Sequence, residues 1–169
     1  MAQHNVLDAE WLVQQVATDL ARYCGERRLD DPAIVGIHTG GVWIAERLHR
    51  LLELDTPAGT LDINFYRDDF SRKGLHPVVH PSNLPFDVEG RDILLVDDVL
   101  HTGRTIRAAM NELFDYGRPA SIHLIVLVER NGRELPIQPD ICGHRLVLAP
   151  EQHIKLGGPE PLTLEIQEI

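Results

Sequence analysis

The spacing of apolar positions changes along the chain, and the changes mark its elements. Residues 8–28 repeat with helical period, which predicts an amphipathic helix, and 33–38 form a short apolar run that predicts a strand. A second helical pattern covers 41–54 and is closed by Asp55 and Pro57. Strands are expected at 61–66, 92–97 and 121–128; the Ile-Leu-Leu-Val run of residues 93–96 fits a strand buried on both faces. Between the last two, 104–116 carry Ile106, Ala109, Met110, Leu113 and Phe114 at helical spacing. Strands and helices therefore alternate, which predicts an α/β fold: a mainly parallel sheet with helices on both faces. Ligands of such sheets bind beyond the carboxyl ends of the strands.

Composition bounds this picture. A chain of 169 residues that is 43% hydrophobic and 25% charged is long enough for one core, so a single domain over 1–169 is expected. The first amphipathic stretch contains Asp8, Glu10 and Asp19 and lacks the plan of a signal peptide; no apolar run reaches membrane-spanning length, and a cytoplasmic location with no membrane partner is expected. Cys24 and Cys142 are read as two reduced thiols. No internal repeat is found, and the Pro- and Gly-rich ends read as loops. The net charge of −10 disfavours indiscriminate polyanion binding while permitting a local basic face, to which Arg104, Arg107, Arg118, Arg130 and Arg133 could contribute.

The chemistry concentrates in residues 92–105. There the buried strand leads into the adjacent carboxylates Asp97 and Asp98, then into His101, Thr102, Gly103, Arg104 and Thr105. The loop precedes a helix, whose unpaired N–H groups and positive dipole end favour an anion; Thr102 and Thr105 add hydroxyl donors and Gly103 allows close backbone approach. A polyphosphate laid across two carboxylates would be repelled, and no Gly-x-x-x-x-Gly-Lys-Ser/Thr loop is present. Ribose hydroxyls, by contrast, need carboxylate acceptors, so a sugar phosphate fits the segment. Asp-Asp after a strand can also be a simple turn and N-cap.

The Val-Asp-Asp-Val-Leu-His-Thr-Gly-Arg-Thr segment, residues 96–105, resembles the phosphoribosyl-pyrophosphate motif of type I phosphoribosyltransferases. The resemblance implies the fold of that family and assigns Asp97 and Asp98 to the ribose 2′- and 3′-hydroxyls, and Thr102, Gly103, Arg104 and Thr105 to the 5′-phosphate. It also implies that the earlier loop with Thr39, Gly40 and Gly41 holds pyrophosphate; its backbone could form an anion nest. Residues 62–73 alone read as a solvated charged turn. Taken with 117–122 and 128–137, they resemble one subfamily over most of the chain, the pyrimidine-operon regulators that double as uracil phosphoribosyltransferases. There the Tyr-Arg-Asp-Asp of 66–69 opens a hood, here about 61–90, so that Arg67 would face pyrophosphate while Asp68 and Asp69 order the hood or its metal.

The implied substrates are phosphoribosyl pyrophosphate and uracil, the product uridine monophosphate (UMP), and the cofactor Mg²⁺, held mainly through substrate oxygens with Asp97 or Asp98. The nine histidines offer no pair at metal-ligand spacing. His101 stands where purine enzymes of the family often carry an acid, which argues against a purine and leaves it as a base or phosphate contact or a solvent-facing residue. The subfamily also binds leader messenger RNA. Its pattern reads His-Arg-Glu-Leu, Ile-Arg and Gly-Lys where this chain has Gly132-Arg133-Glu134-Leu135, Ile137-Gln138 and Gly143-His144. Arg133, Arg130 and His144 are the RNA candidates, with attenuation expected to be weakened. The pyrophosphate loop, Thr-Arg-Gly in the subfamily, lacks its arginine here. Alternatives are a uridine-nucleotide-sensing regulator with little turnover and a phosphoribosyltransferase for another base. A homodimer or larger homo-oligomer is expected.

Overall fold

The computed structural model describes residues 7–63 and 82–169. Helix α1 (Ala9–Glu26) starts where the Asp8 carboxylate accepts the Trp11 N–H at 2.9 Å, satisfying a first-turn donor. Helix α2 (Gly40–Leu51) stops three residues before the expected end at 54. Glu53 turns left-handed (φ 52°), and Leu54 N–H reaches back to the His49 carbonyl at 3.2 Å, so the last carbonyls are satisfied by a terminating turn. Helix α1 closes in the same way, with Arg28 at φ 56° and Leu29 N–H on the Cys24 carbonyl.

Strands β1 (Ala33–Ile37), β2 (Gly59–Leu61), β3 (Asp92–Leu100), β4 (Ser121–Arg130) and β5 (Ile141–Leu146) form one parallel sheet in the order β2-β1-β3-β4-β5. Among the described residues the strand expected over 61–66 begins earlier, as β2 from Gly59 to Leu61 beside Val35–Ile37 of β1, while residues 64–66 lie outside the described residues. Strand β3 outruns its expected end because β4 continues beside it, pairing Val99 with Val128 and Leu100 with Glu129.

Alternate residues of β3 face opposite layers. Leu94 and Val96 join a core with Val13, Val16 and Leu20 of α1 and Ile44 and Leu48 of α2; Ile93 and Leu95 join another with Ile106, Ala109 and Leu113 of α3 (Arg104–Tyr116). Helices thus cover both faces. Of the stripe expected on α3, Met110 is only half-buried and Phe114 is 57% exposed.

The carboxyl-terminal stretch read as loop is strand. Beyond β5, β6 (Gln152–Gly157) and β7 (Thr163–Glu168) form an antiparallel hairpin. Ile154, Leu156 and Leu164 turn into the α1 core while Lys155 and Glu165 face water, the alternation that stabilises a half-buried strand pair. Glu10 anchors the hairpin approach by accepting from Arg47 (3.0 Å) and from Leu162 N–H (2.9 Å); chiefly the Arg47 bond holds the Glu10 carboxyl below the usual range. Among the described residues no helix is long and apolar enough to cross a membrane. Arg67, Asp68 and Asp69, with most of the expected hood, lie outside the described residues.

Candidate active site

The sheet order makes the site. After β1 the chain passes through α2 to the edge strand β2, whereas after β3 it passes through α3 to β4 on the other side. The loops following β1 and β3 therefore diverge to opposite faces and leave a crevice between them, the switch point of a parallel sheet.

Two glycines let the walls of this crevice close. A Cβ on Gly41 would lie 2.5 Å from the Val96 carbonyl oxygen, so only glycine brings the start of α2 against β3. A Cβ on Gly40 would overlap the Asp98 carboxylate. Thr39 is exposed at the N-cap of α2 and makes no side-chain cap, and the His38–Thr39 peptide before it is cis.

The paired acids part company at the end of β3. Asp97 is 1% exposed and its Oδ1 accepts the Asp98 N–H at 2.9 Å; Asp98 is half-buried and accepts the Val99 N–H at 2.8 Å. Strand alternation puts Asp97 on the α3 side with Ile93 and Leu95, and Asp98 on the α2 side beside Gly40. The chain then turns through half-buried His101, buried Thr102, and Gly103 at φ 95° into α3. Thr102 Oγ1 accepts the Arg104 N–H at 3.2 Å, and Gly103 at the N-cap supplies no side-chain cap of its own to the first turn. Thr105 is half-buried on that first turn.

Sequence reasoning missed what supports this loop. The Thr102 carbonyl accepts from both Glu134 N–H (3.0 Å) and Leu135 N–H (3.1 Å). Arg133 donates through Nε to the His101 carbonyl (2.8 Å), through Nη1 to the Ile137 carbonyl (2.5 Å) and through Nη2 to Glu129 (3.0 Å). Glu129 also accepts from Arg145 at 2.9 Å. Burial pushes the Glu129 carboxyl up, but the two guanidinium partners outweigh it and hold the group below its ordinary value. Arg104 pairs with Glu134 at 3.0 Å.

The three residues assigned to RNA are not presented alike. Arg133 is engaged as just described; Arg130 is buried, with its guanidinium on the Asn131 and Gln152 carbonyls; His144 is exposed on β5. Among the described residues no group of three or more His, Cys, Asp or Glu could hold a metal unaided.

Residues 3–154 match the phosphoribosyl transferase domain family. The Bifunctional protein PyrR of Nitrosococcus oceani is 57% identical over 165 residues, covering 96% of this chain and 93% of that protein. The chain belongs to the PyrR family. A second PyrR relative, from Pseudomonas savastanoi pv. phaseolicola, is 55% identical over 162 residues, covering 96% of this chain and 95% of its own length. In fold, the chain superposes on the hypoxanthine phosphoribosyltransferase of Trypanosoma cruzi with a TM-score of 0.67 at 19% identity, covering 88% of this chain and 80% of the other. The crevice between β1 and β3 thus sits in a PyrR chain with a phosphoribosyltransferase fold.

Two outcomes are expected from this geometry. Gly41→Ala, which meets backbone, lowers stability by about 1–3 kcal/mol, whereas Gly40→Ala, which meets a movable carboxylate, costs less than about 1 kcal/mol; urea unfolding of both variants checks the ranking. Because the Glu129 pKa is depressed in the folded state, its contribution is present above the unfolded value and disappears as pH falls below about 4. The stability gap between wild type and Glu129→Gln is therefore larger at neutral pH than at about pH 3.5 in urea titrations, and an unchanged gap contradicts the assignment.

Proposed function

We propose that the chain transfers phosphoribose from phosphoribosyl pyrophosphate to uracil, and that the same nucleotide site serves a regulator of pyrimidine genes. The observation that carries this reading is the contact of Gly40 with Asp98, which joins the loop assigned to pyrophosphate to the acids assigned to ribose, with the phosphate loop continuing from the same strand. The PyrR names of the relatives point the same way.

In the reaction, the C1–O bond to pyrophosphate breaks with its electron pair leaving on the pyrophosphate oxygen, the bond from uracil N1 to C1 forms, and the N1 proton passes to the released pyrophosphate or to water. Asp97 and Asp98 accept the 2′- and 3′-hydroxyls and, as anions, favour the positive charge that develops on the ribose ring. Thr102, Thr105 and the N-terminal N–H groups of α3 hold the 5′-phosphate, and Thr39, Gly40 and Gly41 offer backbone donors to the leaving group. His101, beside the phosphate loop, contacts the base or the phosphate. Arg67 is placed towards pyrophosphate, with Asp68 and Asp69 ordering the hood, on the resemblance alone. Mg²⁺, when bound, neutralises charge on pyrophosphate. The half-buried Asp98 and the neighbouring Asp97 are the carboxylates that would hold it, and the absence of a larger donor cluster among the described residues suits an ion held largely by substrate oxygens.

For regulation, leader RNA is the proposed partner. Of the three candidates only His144 presents its side chain outward, which supports a contact weaker than a full basic set would make. A homodimer or larger homo-oligomer is the proposed assembly. A nucleotide sensor with little turnover is the second reading, favoured by the missing arginine of the Thr39, Gly40, Gly41 loop.

Purified protein given uracil, phosphoribosyl pyrophosphate and Mg²⁺ is expected to release UMP and pyrophosphate. Asp97→Asn should lower kcat/KM for phosphoribosyl pyrophosphate about ten- to a hundredfold, the loss of one charge-assisted hydrogen bond. UMP binding without turnover would select the sensor; turnover with another base in preference to uracil would overturn the uracil assignment.

A further inference from the structure

We propose that Arg133 is a positioning residue for the 5′-phosphate loop, setting its shape from behind; this rests on the phosphoribosyl reading of that loop. The guanidinium spans three acceptors on three separate segments: the His101 carbonyl in the loop itself, the Ile137 carbonyl at the end of the connection from β4, and the Glu129 carboxylate at the end of β4. Glu129 is in turn fixed by Arg145 on β5, so the brace is anchored on two strands of the sheet.

The adjoining backbone is gripped as well. Glu134 and Leu135 both donate to the Thr102 carbonyl, and a Cβ built on Gly103 would lie 3.4 Å from Ile137 and 3.5 Å from Arg133 Cδ. With the 101 and 102 carbonyls tied to the connection after β4, the backbone path that carries the Thr102 hydroxyl and the start of α3 is fixed. A phosphate cradle works only if its donors converge within a fraction of an ångström. Arginine suits the task because its planar fork offers donors in several fixed directions at once, whereas a lysine ammonium on a flexible stem cannot span the same three acceptors.

The hydrogen bonds of Arg133 run to the His101 and Ile137 carbonyls and to Glu129 rather than to Asp97 or Asp98, so its effect should fall on ligands held by the loop's phosphate site. Calorimetric titration of the intact chain with UMP, and separately with pyrophosphate and Mg²⁺, reads the two ends of the site independently. Arg133→Met, which keeps the aliphatic stem, should raise the UMP dissociation constant at least about tenfold and change the pyrophosphate value less than about twofold. Arg133→Lys should recover only part of the loss. Glu129→Gln, which retains the arginine but loosens its anchor, should weaken UMP about threefold and serves if the methionine variant does not fold. Unchanged UMP affinity, equal loss of both ligands, or full recovery with lysine would overturn the proposal. Wild-type protein that binds neither UMP nor pyrophosphate would instead overturn the phosphoribosyl reading beneath it.

Discussion

The site depends on β1 and β3 lying side by side while the helices that follow them leave on opposite faces. The topology opens a crevice at the carboxyl edge, but its width is set by backbone contact. Gly41 abuts the Val96 carbonyl and Gly40 the Asp98 carboxylate, so the first turn of α2 and the last residues of β3 come as close as chains without intervening side chains allow. A larger residue at Gly41 would push the two loops apart, whereas one at Gly40 would displace the Asp98 carboxylate.

Within that frame, one strand serves two purposes by its pleat. Residues 93–96 distribute their side chains between the two cores, and the same alternation carries Asp97 to one side and Asp98 to the other. The buried acid receives the Asp98 N–H, and the half-buried one receives the Val99 N–H and packs against Gly40. Burying a carboxylate is costly unless it is hydrogen-bonded, and the backbone at the strand end supplies those donors. The Thr102–Thr105 loop next to it is braced by the connection after β4, so the acid pair proposed for ribose and the loop proposed for phosphate are supported by different parts of the sheet.

Much of this was legible in the sequence because it is local. The Ile-Leu-Leu-Val run, the acid pair and the Thr102 to Thr105 hydroxyls lie in one continuous stretch, and the start and end of α3 fall at the expected residues. The early start of β2 at Gly59 was not legible, since it is decided by pairing with β1 from Val35 onward rather than by its own composition. The hairpin β6–β7 did leave a signal in the alternation of Ile154, Leu156, Leu164 and Ile166 with polar residues, but the prolines and glycines around it drew the reading towards loop. Arg133 looked like a surface cation for RNA. Its partners are two carbonyls and a carboxylate from three segments, and a backbone carbonyl has no signature in a side-chain sequence.

The most direct test of the account is a crystal structure of the UMP complex. The account predicts the phosphate among the Thr102 and Thr105 hydroxyls and the N-terminal N–H groups of α3, with the ribose hydroxyls on Asp97 and Asp98. A phosphate seated instead at Thr39, Gly40 and Gly41, or ribose hydroxyls that leave both acids uncontacted, would contradict it.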